Sequence, residues 1–99
     1  MKQSDDEFSD PVPLPIDGVL DLHTFLPREI KQVVLAYLDA CQEQGVLEVR
    51  IIHGKGIGNL QRTVHALLQK HSEVLSFTLA SQFYGGSGAT IVKLRPAQH

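Results

Sequence analysis

Two kinds of apolar spacing alternate along residues 19–94, and this alternation restricts the chain to a small set of folds. Short β-branched or alternating runs predict strands at 19–23, 47–52, 74–80 and 89–94. The segments 27–45 and 60–71 instead carry apolar residues at the spacing of one helix face. The order β-α-β-α-β-β predicts a two-layer α/β sandwich, and a helical crossover makes the first two strands parallel.

The two predicted helices each have one apolar face. The apolar residues of the first helix lie at offsets 0, 3, 4, 7, 8 and 11 from Ile30, and all are expected to face the core. They are Ile30, Val33, Val34, Tyr37, Leu38 and Cys41. The second is expected to bury Leu60, Val64, Leu67 and Leu68. Pro27 suits a first helical position and Gly45 suits a helix end, although Leu26 offers no side-chain acceptor as a cap.

Length and composition exclude several classes of protein. A chain of 99 residues makes one domain, and a single cysteine, Cys41, cannot form an intramolecular disulfide. No apolar run approaches the roughly 18 residues that cross a bilayer, and the first ten residues lack the apolar core of a secretory signal. We therefore expect a monomeric, cytoplasmic protein without membrane contact.

The acidic residues are concentrated in the first 17 positions. Of 9 basic and 11 acidic residues, that segment holds one basic and five acidic ones, so residues 18–99 are weakly basic. Prolines at 11, 13 and 15 exclude a helix there. We expect 1–17 to be an acidic, Pro-rich flexible tail and 18–99 to be the domain. Alternatively, Val12, Leu14 and Ile16 lie along an apolar groove.

Polar residues follow the two predicted parallel strands. Asp21 and His23 are two apart on a strand and therefore share one face, and His53 follows the next strand. Because ligands of open α/β sheets bind at the carboxyl ends of strands, we expect the three to converge. The alternative is a charged strand end and an unrelated loop histidine. His65 and His71 on the second helix are expected to be surface or helix-end residues.

A glycine-rich loop follows His53 and leads into the second helix. Gly54, Gly56 and Gly58 permit tight backbone turns, and Lys55 adds a positive charge beside the helix N-terminus, which favours anions. The loop is a candidate phosphate site, although a simple connection has the same composition. A second glycine turn, with Gly85 and Gly86, is either a hairpin connection or a further source of amides for the same ligand.

Three short blocks stand out in the sequence, namely LDLH at 20–23, HGKGIG at 53–58 and GGSGATIV at 85–92. Together they resemble the Smr (small MutS-related) domain family, over about residues 18–95. The resemblance implies a fold similar to the C-terminal domain of translation initiation factor three. It also implies nucleic-acid binding and, as in several members, nicking endonuclease activity. The family positions that match here are Asp21, His23, His53, Gly54 and Gly56.

The chain departs from the family pattern at two positions. Thr24 stands where the family usually has glycine, and Gln61 stands where many members have arginine; Arg62 comes one residue later. The absence of this arginine argues against nuclease activity more than it argues against the fold. The sequence therefore leaves open whether the chain is an enzyme.

The leading hypothesis is cleavage of branched or duplex DNA, or of RNA. The loop 54–58 and Arg62 would hold the phosphate, while His23 and His53 serve as acid and base and Asp21 orients a histidine or holds a metal ion. Mg²⁺ or another divalent metal would assist attack by water on DNA, whereas RNA offers its own 2′-hydroxyl. One alternative is a non-catalytic nucleic-acid-binding module associated with ribosomes or repair. The other is a module that binds a small phosphometabolite or a protein.

Overall fold

A four-stranded mixed sheet carries two helices. The computed structural model describes residues 15–54, 59–80 and 88–97. In chain order the elements are β1 (Val19–Asp21), a 3-10 turn (Pro27–Glu29), α1 (Ile30–Glu43), β2 (Glu48–Ile52), α2 (Asn59–Lys70), β3 (Val74–Leu79) and β4 (Ala89–Leu94). The sheet order is β1-β2-β4-β3. The predicted element order and fold class are confirmed.

The strand directions bring several chain segments to one end of the sheet. β1 and β2 are parallel, whereas β4 runs antiparallel to both β2 and β3. Asp21 pairs with Ile52, Ile52 with Ala89, and Leu79 with Thr90. The ends of β1, β2 and β3 therefore lie beside the start of β4. We call this edge the site end of the sheet.

The core lies between one face of the sheet and the two helices. The sheet contributes alternate residues of β1, β2 and β4, and the helices contribute residues at helical spacing; the buried cluster is Leu20, Leu22, Ile30, Val34, Tyr37, Leu38, Cys41, Val49, Ile51, Val64, Leu68, Val92 and Leu94. Val33, Leu60 and Leu67, which the periodicity also directs inward, pack against this cluster but are only partly buried. The helical periodicity therefore marks the correct faces.

Strand β3 departs from the simple alternation of its sequence. Leu75, Phe77 and Leu79 alternate, yet Leu75 is 57% exposed and Leu79 is 39% exposed. The register against β4 shifts between Val74 and Ser76, which inserts an extra residue into β3. Such a bulge changes which side chains face inward. As a result, Val74 rather than Leu75 packs against the core together with Phe77, while the exposure of Leu79, beyond the bulge, is not due to this shift.

The chain enters β1 through contacts with α1. Ile16 packs against the core, and the buried Tyr37 hydroxyl accepts a hydrogen bond from the Gly18 amide at 3.1 Å. That hydroxyl lies 3.2 Å from the Pro15 carbonyl, one of its possible acceptors. Most of the predicted tail, residues 1–14, lies outside the described residues. Neither helix in the described ranges is long and apolar enough to span a membrane.

Both ends of α1 use backbone features that suit their sequence. The Leu26 amide donates to the Glu29 carboxylate at 2.8 Å, so Glu29 closes the helix start that Leu26 cannot cap with its own side chain. After the last turn, Gly45 has a φ of 78°, the left-handed conformation that favours glycine at a helix end.

Two glycines with positive φ provide a matched test of this packing. A Cβ at Gly18 (φ 89°) would lie 3.0 Å from the Glu48 carbonyl oxygen and 3.2 Å from Val46 Cγ1, whereas a Cβ at Gly45 would meet nothing within 4 Å. We expect Gly45→Ala to lower the free energy of unfolding by about 1 kcal/mol. Gly18→Ala adds a steric clash and should cost about 3 kcal/mol. Urea denaturation measures both; equal losses would contradict the close approach at Gly18.

Candidate functional site

Two polar groups occupy the site end of the sheet, and they differ in burial. One is the exposed pair Asp21 and His23, at the end of β1 and just beyond it. The other is a cluster formed by His53, which follows β2, His65 on α2 and Thr90 at the start of β4. Each group follows from strand geometry, because the residues that leave β1 and β2 emerge where β4 begins.

The Asp21–His23 pair is arranged like a base and its orienting carboxylate. His23 Nδ1 lies 2.6 Å from Asp21 Oδ1, and the His23 amide donates to the same oxygen at 2.9 Å. The carboxylate therefore favours the tautomer with a proton on Nδ1 and a lone pair on Nε2. The His23 side chain is 67% exposed and the Asp21 side chain is 54% exposed, so the imidazole is open to a ligand.

The same contacts lower the pKa of the Asp21 carboxyl below its ordinary value. The His23 amide hydrogen bond is the largest influence and lowers the pKa of the Asp21 carboxyl. Partial desolvation opposes it, while the hydrogen bond from the ring and the charge of His23 lower the pKa further. At neutral pH the carboxylate is an acceptor only, which suits the role of orienting an imidazole. As predicted, Asp21 and His23 share the solvent face while Leu20 and Leu22 are buried.

His53 is buried and both of its ring nitrogens are hydrogen-bonded within the protein. It is 7% exposed; Nδ1 lies 3.0 Å from the Gly54 carbonyl oxygen, and Nε2 lies 2.8 Å from Thr90 Oγ1. The amides of His53 and Gly54 both donate to the Gly88 carbonyl, at 2.9 and 2.8 Å. These bonds tie the exit of β2 to the residues that open β4. That His53 acts as acid or base stays a prediction.

His65 reaches the same hydroxyl from α2. Its Nε2 lies 2.8 Å from Thr90 Oγ1, and its ring meets His53 edge-on, with centroids 6.1 Å apart and planes at 81°. The His65 ring also contacts the Phe77 ring, with centroids 4.9 Å apart. Burial lowers the pKa of His65, and the nearby His53 lowers it further. His65 is therefore a largely neutral imidazole in a defined orientation at neutral pH.

The structure thus brings together only some of the predicted residues. Asp21 contacts His23, and His53 contacts Gly54, but within the described residues no hydrogen bond joins the two groups. Arg62 is exposed in the first turn of α2, where its Nη2 donates to Asn59 Oδ1 at 2.6 Å. The other predicted phosphate contacts are outside the described residues, namely Lys55, Gly56, Gly58, Gly85 and Gly86.

Sequence reasoning missed His65 and Thr90. We expected His65 at the surface, yet it is half-buried at the site end. A signal was present: His65 is next to Val64 and three residues before Leu68, which places it at the border of the apolar face. Nothing in the sequence of residues 89–94 indicates that the Thr90 hydroxyl contacts two histidines. The contact depends on imidazoles that come from two other elements of the fold.

Few of the described side chains at the site end of the sheet could serve as ligands of a divalent metal ion. Among the described residues, no three of His, Cys, Asp and Glu are grouped so that they could hold a metal ion. The Asp21 oxygen nearest to His23 already accepts two hydrogen bonds. The described residues therefore contain no preformed cluster of three donors, and the mechanism below routes no step through a metal.

The lowered pKa of His65 predicts a particular pH dependence of stability. Because the folded-state pKa lies below the ordinary 6.5, the unfolded chain takes up this proton first as the pH falls. Stability from this group is full above pH 6.5 and decreases as the pH falls through 6.5 towards the folded-state pKa. We expect urea denaturation between pH 7.5 and 5.5 to show a shallower dependence in His65→Gln than in the wild type. Parallel curves would contradict a buried neutral His65.

Comparison with known proteins connects this geometry to a family. The family model described as "Smr domain" matches residues 20–95. The chain is 38% identical over 77 residues to "Endonuclease MutS2" of Solidesulfovibrio magneticus, covering 78% of this chain and 10% of that protein. It is 46% identical over 59 residues to the protein of that name from Halothermothrix orenii, covering 60% of this chain and 8% of that protein. The chain thus spans about a tenth of these relatives.

Two crystal structures share the fold. The Smr domain of Thermus thermophilus MutS2 superposes with a TM-score of 0.75 at 33% identity, covering 79% of this chain and 98% of that domain. YdaL, a stand-alone small MutS-related protein from Escherichia coli, superposes with a TM-score of 0.73 at 31% identity, covering 82% of this chain and 66% of that one. With the match over residues 20–95, these similarities show that the chain belongs to the Smr domain family.

Proposed function

We propose that this chain is a nucleic-acid-binding Smr domain that cleaves a phosphodiester bond at the site end of the sheet. The observation that carries the proposal is the exposed Asp21–His23 pair, with Nδ1 and Oδ1 2.6 Å apart at the end of β1. It combines an ionised carboxylate with an accessible imidazole, which is the minimal arrangement for a general base. Relatives over most of this chain bear the name endonuclease, which supports the same reaction class.

Phosphate binding is assigned to the neighbouring start of α2. Gly54 has a φ of 83° and opens the loop that leads to Asn59, the first residue of α2. Helix N-terminal amides attract anions, and Arg62 adds an exposed guanidinium in the same turn. The loop residues Lys55, Gly56 and Gly58, together with Gly85 and Gly86, remain part of the proposal on sequence grounds.

The proposed reaction is carried by His23. Its Nε2 lone pair takes a proton from the attacking oxygen, which is the 2′-hydroxyl of RNA or a water molecule on DNA. A bond from that oxygen to phosphorus forms as the bond to the leaving oxygen breaks, and the leaving oxygen takes a proton from solvent. Asp21 keeps the His23 ring oriented and stabilises the imidazolium that forms. The proposed reaction does not use His53, whose two ring nitrogens are hydrogen-bonded to Gly54 and Thr90; an acid or base role for His53 stays a prediction from the sequence alone.

A second candidate function is nucleic-acid binding without cleavage. It is favoured by Gln61, which occupies the position where many Smr domains have arginine. A glutamine cannot supply the charge that stabilises a phosphorane-like transition state, whereas the rest of the site could still hold a backbone phosphate. Cleavage and binding assays on the same variants separate the two functions.

His23 variants provide the test of catalysis. Labelled single-stranded RNA and branched DNA would be incubated with the wild type, His23→Ala and Asp21→Asn, each with Mg²⁺ and with EDTA. We expect His23→Ala to lower the cleavage rate about 10²- to 10⁴-fold, the contribution of a positioned general base, and Asp21→Asn to lower it by less.

The control is His71→Gln, which changes a histidine at the far end of α2 and should leave the rate unchanged. Equal cleavage by the wild type and His23→Ala would contradict the assignment of the base. Binding by the wild type with no cleavage under any condition would favour the second candidate.

Salt dependence provides the test of phosphate binding. We expect the logarithm of the association constant to fall linearly with the logarithm of salt concentration, as counterions are released from the backbone. Arg62→Ala should weaken binding and reduce the slope by about 0.7–0.9, the amount of one phosphate contact. Arg95→Ala is the matched control, because Arg95 follows β4 at the opposite end of the sheet. An equal change in both variants would contradict a phosphate site at the start of α2.

A further inference from the structure

One buried hydroxyl connects two imidazoles that come from different elements. Thr90 Oγ1 lies 2.8 Å from Nε2 of His53 and 2.8 Å from Nε2 of His65, and Thr90 itself is fully buried. Thr90 is the second residue of β4, His53 follows β2 and His65 lies in the middle of α2. The cluster therefore joins three segments at the site end of the sheet, and among the described residues no hydrogen bond links it to the Asp21–His23 pair.

The hydrogen bonds determine where each proton lies. His53 Nδ1 is 3.0 Å from the Gly54 carbonyl oxygen, which can only accept, so Nδ1 carries the proton. In the neutral ring, Nε2 is then an acceptor and receives the Thr90 hydroxyl proton. Since that hydroxyl has a single proton, His65 must donate its Nε2 proton to Thr90 Oγ1. One chain of donation results, from His65 to Thr90 to His53 to the Gly54 carbonyl.

We infer that His65 is a positioning residue that acts through Thr90 and His53 to hold Gly54, the first residue of the proposed phosphate loop. The inference rests on the proposed function, since it assigns a role to that loop. Donation from His65 directs the Thr90 proton towards His53, and the oriented His53 ring then donates to Gly54. Without His65, the hydroxyl is free to rotate away from His53.

Surrounding contacts support a defined geometry for the cluster. The His65 ring lies between His53, at 6.1 Å, and Phe77 of β3, at 4.9 Å. At Gly54, the amide is already held by the Gly88 carbonyl at 2.8 Å. The contact from His53 Nδ1 then restrains its carbonyl, so both peptide groups of Gly54 are fixed at the positive φ with which the loop begins.

The first test uses matched variants and a double-mutant cycle. Thr90→Val removes the hydroxyl with little change in shape, and Thr90→Ser keeps it. His65→Leu removes the donor, and His65→Gln retains an amide donor near Nε2. We expect Thr90→Val and His65→Leu each to weaken binding of a labelled RNA oligonucleotide about three- to tenfold, with Thr90→Ser and His65→Gln near the wild type.

The double variant decides whether His65 acts through Thr90. If it does, adding His65→Leu to Thr90→Val costs little more than Thr90→Val alone, because the chain of donation is already broken. Additive losses would overturn the inference, since they would mean that His65 contributes independently. Unchanged binding in both single variants would overturn it as well.

The second test needs no nucleic acid and so separates this inference from the proposed function. Long-range ¹⁵N–¹H spectra of the free wild type at pH 7.5 should show His53 as the Nδ1–H tautomer and His65 as the Nε2–H tautomer. Amide hydrogen exchange at Gly54 should be faster in Thr90→Val and His65→Leu but not in Thr90→Ser. The opposite tautomers, or unchanged exchange, would overturn the positioning role. A wild type with the expected spectra that binds no nucleic acid would instead count against the proposed function.

Discussion

The pairing of β2 with β1 on one side and β4 on the other is the constraint on which the candidate site depends. Parallel pairing with β1 makes the residues after both strands emerge at the same end. Antiparallel pairing with β4 places Ala89 and Thr90 beside that end as well. Residues from three distant sequence blocks are therefore placed at one end of the sheet by backbone pairing. The hydrogen bonds from His53 and Gly54 to Gly88 then act on a geometry that the sheet already provides.

Much of this arrangement is encoded in short-range pattern. The order of strands and helices, the inward helix faces and the common face of Asp21 and His23 all follow from periodicity, because period 2 and period 3.6 each determine which side chains share a face. Periodicity fails at Leu75, where a register shift changes the inward side. A bulge depends on how β3 pairs with β4 and leaves no mark in the spacing of β3 itself.

The candidate site is less predictable than the fold, for a physical reason. The expectation that Asp21, His23 and His53 converge rests on strand ends, which place all three at the site end but in two separate groups, and it gives no information on burial. His23 lies in solvent beside its carboxylate, whereas His53 is enclosed and hydrogen-bonded on both nitrogens. Two histidines at equivalent strand ends therefore have different chemistry because α2 and β4 cover one of them and leave the other open.

This difference in burial suits a division of tasks in the reaction proposed above. A general base must exchange protons with a ligand, so it needs exposure and an orienting carboxylate, both of which His23 has. A group that holds a loop needs a stable tautomer and protection from water, which burial and the bridging hydroxyl give His53. Burial also favours the neutral form of His65 near pH 7, and its Nε2 lies within hydrogen-bond distance of the Thr90 hydroxyl. The buried cluster and the exposed pair are thus separate hydrogen-bonded groups at one end of the sheet, with no hydrogen bond between them in the described residues.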